Sequence, residues 1–255
     1  MTALKPMNQA LALIALLLLS GVAPAEERLP WATTRQLVLV ITPGWTDSTG
    51  VMQRFERNDA QAPWRALTPI VPVTVGKTGL AWGRGLHPTV SDNGPLKREG
   101  DLRAPAGVFR LSSAFGYAKT APGVRLPYVE ATSTLECVDD PQSQYYNRIV
   151  DRAQIAAVDW KSSEPMRRRD ELYRWGVVID HNDPSPAPGL GSCIFLHIWP
   201  APKAPTVGCT ATSRDVVEQL IAWLDPETQP VLVQLPRPVF ERVREAWRLP
   251  AMRPD

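Results

Sequence analysis

A histidine and a cysteine frame a short Pro-rich loop in the last quarter of the chain, and together they could carry out nucleophilic chemistry. His197 lies near the end of an apolar run that begins at Cys193, and Thr206-Val207-Gly208-Cys209 closes the loop just before a predicted helix. A nearby imidazole and the positive end of a helix both lower the pKa of a thiol. The pattern therefore predicts acyl transfer by Cys209 with His197 as base. A small buried cysteine and a core histidine are the alternative interpretation.

Composition argues against several other kinds of site. The chain has 3 His and 3 Cys, and their spacing is not typical of zinc binding, so we expect no metal and no cofactor. The formal net charge is +2 without a long basic cluster, which argues against a nucleic-acid partner. The one dense basic run, 167–169, precedes Asp170 and Glu171 and is interpreted as a solvated helix face.

The N-terminus has the pattern of an export signal. Lys5 supplies positive charge, residues 10–19 are apolar, and Ala23-Pro24-Ala25 fits a cleavage site. We expect residues 1–25 to be removed and the remaining chain, 26–255, to be exported without a membrane span, because the apolar run is short for crossing a bilayer. An uncleaved N-terminal anchor is the alternative.

Export would also decide how the three cysteines are interpreted. In an oxidising compartment two of the cysteines can pair and leave one thiol free. If Cys209 is the nucleophile, the pair would be Cys137 with Cys193, a connectivity that the sequence alone does not prove.

Periodicity and the 26 prolines predict a loop-rich, mainly β protein with few helices. We expect a single domain with its core at about 36–235. Pro72 places its strand at an edge or bulge, Thr212 and Asp215 form a variant capping box, and residues 117–171 are irregular, with a covering loop or short helix. The predicted strands are 36–41, 51–57, 70–75, 107–111, 175–180, 193–198 and 231–235, and the predicted helices are 213–224 and 238–249.

Three separated stretches resemble the catalytic domain of L,D-transpeptidases, the YkuD-like group. Residues 97–109 are similar to its EGD…TPxGxF signature, Cys137-Val138-Asp139-Asp140-Pro141 through Asn147 forms the second stretch, and His197 with 206–209 is similar to its H…[ST]-x-G-C motif. The resemblance runs from about Gln36 to Leu235. It implies a β-sandwich or barrel-like catalytic domain that acts on peptidoglycan stem peptides in the periplasm, and we expect a monomer.

The resemblance also implies the reaction and the site. Cys209 would attack the carbonyl at the L-centre of meso-diaminopimelate in a donor tetrapeptide and release D-Ala, and an amine of a neighbouring stem would take the acyl group from the thioester. His197 would accept the thiol proton and serve the amines. Backbone N–H groups around Gly208 and Cys209 would form the oxyanion hole.

The sequence departs from the family pattern around the nucleophile. Val207 stands where a second histidine is common, and Thr210-Ala211 replaces the usual Arg or Asn after the cysteine. Recognition of the substrate carboxylate would then fall to another cation, such as Lys203 or Arg214. Thr206, Thr210 and His181 are predicted to contact substrate, with capping of a strand end as the alternative for His181.

Two other functions are compatible with the same residues. The same thioester could pass to water, which would make the protein an L,D-carboxypeptidase or an amidase. A catalytically inactive cell-wall-binding module would retain a substrate-binding groove without catalysing a reaction. The intact His197, Gly208 and Cys209 argue against this alternative. The sequence does not distinguish the types of crosslink.

Overall fold

The described part of the structure, which is a computed structural model, comprises residues 1–2, 29–88 and 93–252. The predicted signal peptide, 1–25, lies outside the described residues except for Met1 and Thr2. Within these ranges, no helix has the length and apolar character needed to cross a membrane. The elements are β1 Gln36–Thr42, β2 Thr49–Glu56, β3 Arg65–Ala66, β4 Val71–Thr74, β5 Leu80–Trp82, β6 Ala104–Gly116, β7 Tyr128–Glu130, β8 Leu135–Val138, β9 Ile149–Asp151, β10 Ser163–Pro165, β11 Trp175–Ile179, β12 Phe195–Ile198, β13 Thr210–Thr212, α1 Arg214–Trp223, β14 Val231–Pro236 and α2 Arg237–Val243.

The main sheet closes on itself. Strand β1 pairs in parallel with β14 and antiparallel with β2. Those two neighbours are joined by a continuous path of pairing, β14-β6-β11-β12-β13-β4-β2. Closure removes the open edges that an isolated sheet would present. The mainly β, barrel-like fold with few helices that the sequence predicts is confirmed. Strand β12, which carries His197, lies between β11 and β13 inside this path.

The continuous apolar run of β1 is buried on both faces. Leu39 belongs to a buried cluster that includes side chains of α2, whereas Val40 belongs to a second cluster that includes side chains of α1. Alternate residues of a strand point to opposite faces, so each face of β1 supplies one cluster. Burial of one such aliphatic side chain stabilises the fold by about 1.5–3 kcal/mol.

The position of Pro72 differs from the prediction. Its strand, β4, lies between β2 and β13 and is not an edge. The pairing of β4 with β13 involves only Thr74 and Ala211, so the missing N–H of Pro72 leaves no gap in that ladder. The Pro72 carbonyl accepts a hydrogen bond from Thr212 Oγ1 at 2.9 Å.

Both predicted helices are present, with shifted ends. The N-cap of α1 is Ser213, because Thr212 belongs to β13 and bonds to Pro72, so the predicted capping box does not form. The apolar pattern of the helix predicts Val216, Leu220 and Leu224 on one face; Leu220 and Leu224 are buried, and Val216 is partly buried. Helix α2 ends at Val243, earlier than predicted.

The stretch predicted to be irregular forms a second, three-stranded sheet in the order β10-β8-β9. Its buried side chains, among them Leu135 and Met166, pack in one cluster with Phe195 and Cys209. The basic run after Met166 is not a helix face, which corrects the prediction. Arg168 is half-buried and pairs with Glu164 at 3.2 Å. The second sheet therefore covers the strand that carries the predicted base.

Candidate active site

Cys209 lies at the entrance to a short strand rather than to a helix. Strand β13 begins at the next residue, and α1 begins only at Arg214. The field of a helix dipole is felt within its first turn. The predicted effect of a helix N-terminus on the Cys209 thiol is therefore wrong, because β13 separates the two.

Thr206 holds the turn before the nucleophile. Its Oγ1 donates to the Cys209 carbonyl at 2.6 Å and accepts from the Gly208 N–H at 3.1 Å. The Gly208 N–H is thus used within the turn, whereas no hydrogen bond of the described residues involves the Cys209 N–H. Thr206 fixes the backbone of the motif through both of these bonds. Its hydroxyl proton is used within the turn and is not available to a substrate.

The Cys209 thiol is buried in a cage of backbone and aromatic groups. Its side chain is 4% exposed. The Phe195 N–H donates to Sγ at 3.4 Å, and Sγ lies 3.7 Å from the Cys193 carbonyl oxygen. Tyr173 lies in the same buried cluster and lowers the pKa of the thiol. Burial, and then the charge of Glu164, raise the pKa of Cys209 to about 12. The sequence predicted a lowered pKa, and the reason for the difference is desolvation of the thiolate.

His197 is the other half of the predicted pair. It lies on β12, is buried, and its Nδ1 is 2.8 Å from the Ile198 carbonyl oxygen. Nδ1 therefore carries the proton and donates, which leaves the Nε2 lone pair free. Burial lowers the pKa of His197 to about 4. No hydrogen bond joins His197 to the thiol among the described residues.

Tyr173 connects the two predicted catalytic residues. Its ring meets the His197 ring at a centroid distance of 5.0 Å, and it belongs to the same buried cluster as Cys209. The parallel register of β12 and β13 pairs Leu196 with Thr210, which places Cys209 beside Phe195. The structure therefore brings His197 and Cys209 to one buried aromatic side chain.

Neither His181 nor Thr210 presents a free polar group. The Arg84 N–H donates to His181 Nδ1 at 3.2 Å, and His181 Nε2 is 2.9 Å from the Leu190 carbonyl oxygen. Both ring nitrogens are thus hydrogen-bonded to backbone groups, which agrees with the alternative that His181 caps the end of a strand. Thr210 Oγ1 donates to Gln234 Oε1 at 2.7 Å inside the barrel wall. The structure does not place these two side chains at a substrate surface.

The two cations predicted to recognise the substrate carboxylate both lie at the surface. Lys203 is exposed on the Pro-rich loop, and Arg214 is exposed at the start of α1, 4.0 Å from a Glu171 carboxylate oxygen. The cation that acts on the Cys209 thiol is Arg168, which lowers its pKa. The basic run 167–169 predicted a solvated helix face for Arg168, so this role was not found from the sequence.

Besides Arg168, three residues near the thiol were given no role from the sequence: Glu164, Tyr173 and Asn147. The Tyr173 hydroxyl donates to Glu164 Oε1 at 2.6 Å, and the Arg168 guanidinium lies over the Tyr173 ring, 5.0 Å from its centroid. Asn147 Oδ1 accepts from the Cys193 N–H at 2.9 Å, while its Nδ2 donates to the carbonyls of His181 and Asn182. Only Asn147 could have been singled out from the sequence, because it is the last residue of the second stretch that resembles the family.

The disulfide joins Cys137 to Cys193 and leaves Cys209 free. This is the connectivity expected if Cys209 is the nucleophile. The bond ties β8 of the second sheet to the residues just before β12, where Cys193 has a φ of 54°. The backbone that faces the thiol is therefore fixed by a disulfide and by Asn147.

Residues of the EGD-like signature form hydrogen bonds with the segment just before Cys193. Glu99 Oε2 accepts from the Tyr146 hydroxyl at 2.5 Å and from Ser192 Oγ at 2.7 Å. Asp101 pairs with the buried Lys97 ammonium at 2.6 Å. These contacts anchor the loop that precedes Cys193. In the described ranges, no group of three or more His, Cys, Asp or Glu residues is arranged to hold a metal ion.

Comparison with known families agrees with this arrangement. The family model described as the L,D-transpeptidase catalytic domain, YkuD, matches residues 61–233 and includes both His197 and Cys209. The chain belongs to this family. The match begins after β2, so it is narrower than the resemblance predicted from the sequence. Comparisons with curated proteins and with solved structures gave no match.

Proposed function

We propose that the protein is an exported peptidoglycan L,D-transpeptidase that works in the periplasm through a thioester on Cys209. Membership of the YkuD family supports a catalytic domain of the L,D-transpeptidase type. The observation that carries the proposal is the free thiol of Cys209, which is excluded from the disulfide and shares Tyr173 with His197. A free thiol with an imidazole nearby is the arrangement used in acyl transfer by cysteine.

The proposed reaction has two half-reactions. In the first, Sγ of Cys209 attacks the carbonyl carbon at the L-centre of meso-diaminopimelate in a donor tetrapeptide, the C–S bond forms, and the C–N bond to the terminal D-Ala breaks. The amine leaves with a proton, and the acyl group stays as a thioester. In the second, an amine of a neighbouring stem attacks, the C–S bond breaks, and a new amide crosslinks the two stems.

His197 is the proposed general base and acid of this cycle. Its Nδ1–H bond to the Ile198 carbonyl fixes the ring, and the free Nε2 can exchange protons with a reacting amine. The Cys209 N–H is the proposed oxyanion donor, because the Gly208 N–H is held by Thr206. Loss of one such donor typically slows acyl transfer by about 10²–10³-fold.

Substrate entry requires movement of the side chains that cover the thiol. At 4% exposure Sγ offers little surface to an incoming carbonyl. The second sheet supplies Leu135 and Met166 to the cover. The disulfide holds β8 in place, so we place the movement on the side of β10 and Met166.

The proposal is tested with the chain from Glu26 and a disaccharide-tetrapeptide, with Cys209→Ala in parallel and products identified by mass spectrometry. A dimer that has lost one D-Ala, absent with Cys209→Ala, is the expected result. Tripeptide without dimer would instead identify a hydrolase. If neither the tetrapeptide nor a carbapenem reacts with Cys209, the binding module replaces the enzyme.

A further inference from the structure

We propose that a cavity lined by Arg57, Trp64 and Arg248, which we call the arginine cavity, binds a carboxylate-bearing fragment of peptidoglycan outside the catalytic site. The inference rests on the proposed function for the source of the ligand, and it adds a second binding site that takes no part in the chemistry. A site of this kind holds the wall polymer while the thiol acts on a stem peptide.

The arginine cavity lies apart from the thiol. Its walls come from the segment before β1, the connection between β2 and β3, and the segment after α2. Leu29 and Trp64 line it and pack on the buried cluster that includes side chains of α2, whereas Cys209 belongs to the cluster under the second sheet. The volume of the cavity is about 710 Å³, which is in the range of small-molecule sites.

The lining of the arginine cavity is positively charged. Arg57 and Arg248 both line it, and no Asp or Glu is among the described residues that do so. Burial lowers the pKa of Arg57, Asp59 raises it, and Arg248 lowers it again, so the two guanidinium groups repel each other. An anion bound between them would relieve this repulsion.

Arg57 is held in place by the backbone rather than by a carboxylate. Its Nε donates to the Thr34 carbonyl at 2.7 Å, Nη1 to the Ala60 carbonyl at 2.8 Å, and Nη2 to the Ala32 carbonyl at 2.7 Å. A guanidinium has five N–H donors, so one on each Nη remains for a ligand. Two such donors on one guanidinium can bind both oxygens of a carboxylate.

Trp64 and Gln61 add the groups that suit a sugar. The Arg57 guanidinium lies 4.3 Å from the centroid of the Trp64 ring, and Trp64 Nε1 donates to the Arg248 carbonyl at 3.1 Å, so the indole is fixed in the wall. The side-chain amide of Gln61 forms no hydrogen bond within the described ranges, although its backbone N–H donates to Asp59. An aromatic ring packs on the apolar face of a sugar ring, and an amide both donates to and accepts from hydroxyl groups.

Peptidoglycan combines the two features that the arginine cavity selects. Its glycan supplies sugar rings, and its stem peptides supply carboxylates. An anionic lipid surface has the charge but also needs apolar side chains that enter the bilayer. In the described part of the chain, the exposed large apolar side chains are Met1, Leu96, Val129, Val158 and Val207, and none of them lines the cavity.

The chain offers a matched control beside the arginine cavity. Arg65 follows Trp64 on β3, is exposed, and pairs with Glu56 outside the cavity. Arg65→Gln therefore removes the same charge from the same region without touching the lining. Arg248→Gln is the second test variant, because the Arg248 carbonyl that holds Trp64 is unchanged by the substitution.

The test uses the chain from Glu26 with Cys209→Ala and a disaccharide-tripeptide, which lacks the terminal D-Ala and is not a donor. Binding is measured by calorimetry and by the shift of the Trp64 indole N–H signal, which is assigned with Trp64→Phe. We expect Arg57→Gln and Arg248→Gln each to weaken binding by about 10-fold, the usual size of one charge-assisted hydrogen bond. Arg65→Gln should bind as tightly as the parent chain. Amidation of the tripeptide carboxylates should weaken binding to the parent by about 10-fold as well.

The outcomes separate this proposal from the proposed function. If wild type forms the Cys209 thioester but the tripeptide neither shifts the Trp64 signal nor binds more weakly to Arg248→Gln, only the site in the arginine cavity is overturned. If wild type forms no thioester and the tripeptide still shifts Trp64, the proposed function fails and the site remains.

Two further results bear on the ligand and on folding. Vesicles of phosphatidylglycerol that bind the parent chain but not Arg248→Gln, without binding of the tripeptide, would assign the cavity to a lipid headgroup and overturn the proposal. Arg57 holds three carbonyls, so circular dichroism is used to detect loss of folding in Arg57→Gln. If that variant does not fold, Arg248→Gln decides.

Discussion

The ring of Tyr173 meets the imidazole of His197 edge to face, with the two ring centroids 5.0 Å apart. On its other side, the imidazole is bonded through Nδ1 to the Ile198 carbonyl at 2.8 Å. The ring of His197 is thus held between an aromatic edge and its own backbone. A ring fixed in this way presents Nε2 in a single direction, which is what a proton carrier for an incoming amine requires.

This arrangement predicts a tautomer that differs among the three histidines. His197 should carry its proton on Nδ1, whereas His87 and His181 accept backbone N–H bonds at Nδ1, from Val108 and Arg84, and should carry theirs on Nε2. Long-range ¹⁵N–¹H correlation spectra distinguish the two forms. The assignment of His197 is made with His197→Gln. A His197 signal in the Nε2–H form would contradict both the geometry and its role as base.

The disulfide gives a second prediction. The oxidised chain, unfolded in denaturant, should expose one reactive thiol, and the alkylated peptide should contain Cys209. Replacing Cys137 and Cys193 together by serine removes a crosslink that spans 56 residues. In the chain-entropy description, this lowers the free energy of unfolding by about 4 kcal/mol. Urea unfolding measures the loss, and wild type under reducing conditions is the control.

Much of the fold was predictable because it depends on local patterns. The apolar runs at Gln36 and Val231 each predict one buried strand, and the amphipathic face of Leu220 predicts a helix and its buried side. The spacing of His197 and Cys209 was enough to predict that they lie in the same region of the fold, on or beside the neighbouring strands β12 and β13. These features depend on residues that are close in sequence, so they can be predicted from local patterns.

The environment of the thiol was not predictable in the same way. Glu164 lies on the second sheet and Tyr173 lies in the loop before β11, so no spacing along the chain indicates that both act on the Cys209 thiol. The basic run containing Arg168 has the composition of an exposed face, and the contacts of Arg168 with the Tyr173 ring and with Glu164 come from the tertiary fold. The raised pKa of the thiol follows from burial, and burial depends on the whole fold rather than on the motif.

Asn147 supplies a prediction about the backbone beside the nucleophile. Asn147→Ala removes the acceptor of the Cys193 N–H and leaves that group without its partner, at a cost of about 1–3 kcal/mol in the free energy of unfolding. The Cys193 carbonyl lies 3.7 Å from Sγ, so a shift of this residue should also slow acylation of Cys209. Gln142→Ala, at an exposed position of the same segment, is the control. Unchanged acylation in Asn147→Ala would show that the position of Cys193 is not critical.

The buried histidines predict how stability depends on pH. Burial lowers the pKa values of His87, His181 and His197 to about 4, from 6.5 in an exposed chain. Between these two values the unfolded chain binds protons that the folded chain does not, so the free energy of unfolding falls as the pH drops below 6.5. Each unit of difference in pKa corresponds to about 1.4 kcal/mol per group. Urea unfolding at about pH 7.5 and about pH 5.5 should therefore show a loss of stability on acidification.

Asp180 opposes this loss and allows the sign to be tested. Burial raises its pKa from 3.8 to about 6, while Ser112 Oγ donates to its carboxylate at 2.5 Å. Below pH 6 the folded chain takes up a proton at Asp180 that the unfolded chain does not, which stabilises the fold on acidification. Asp180→Asn removes this contribution, so its stability should fall more steeply than that of wild type as the pH drops through 6. A shallower fall in Asp180→Asn would mean that the carboxyl is ionised in the folded protein, and the burial of Asp180 beside Ser112 would then need another counter-charge.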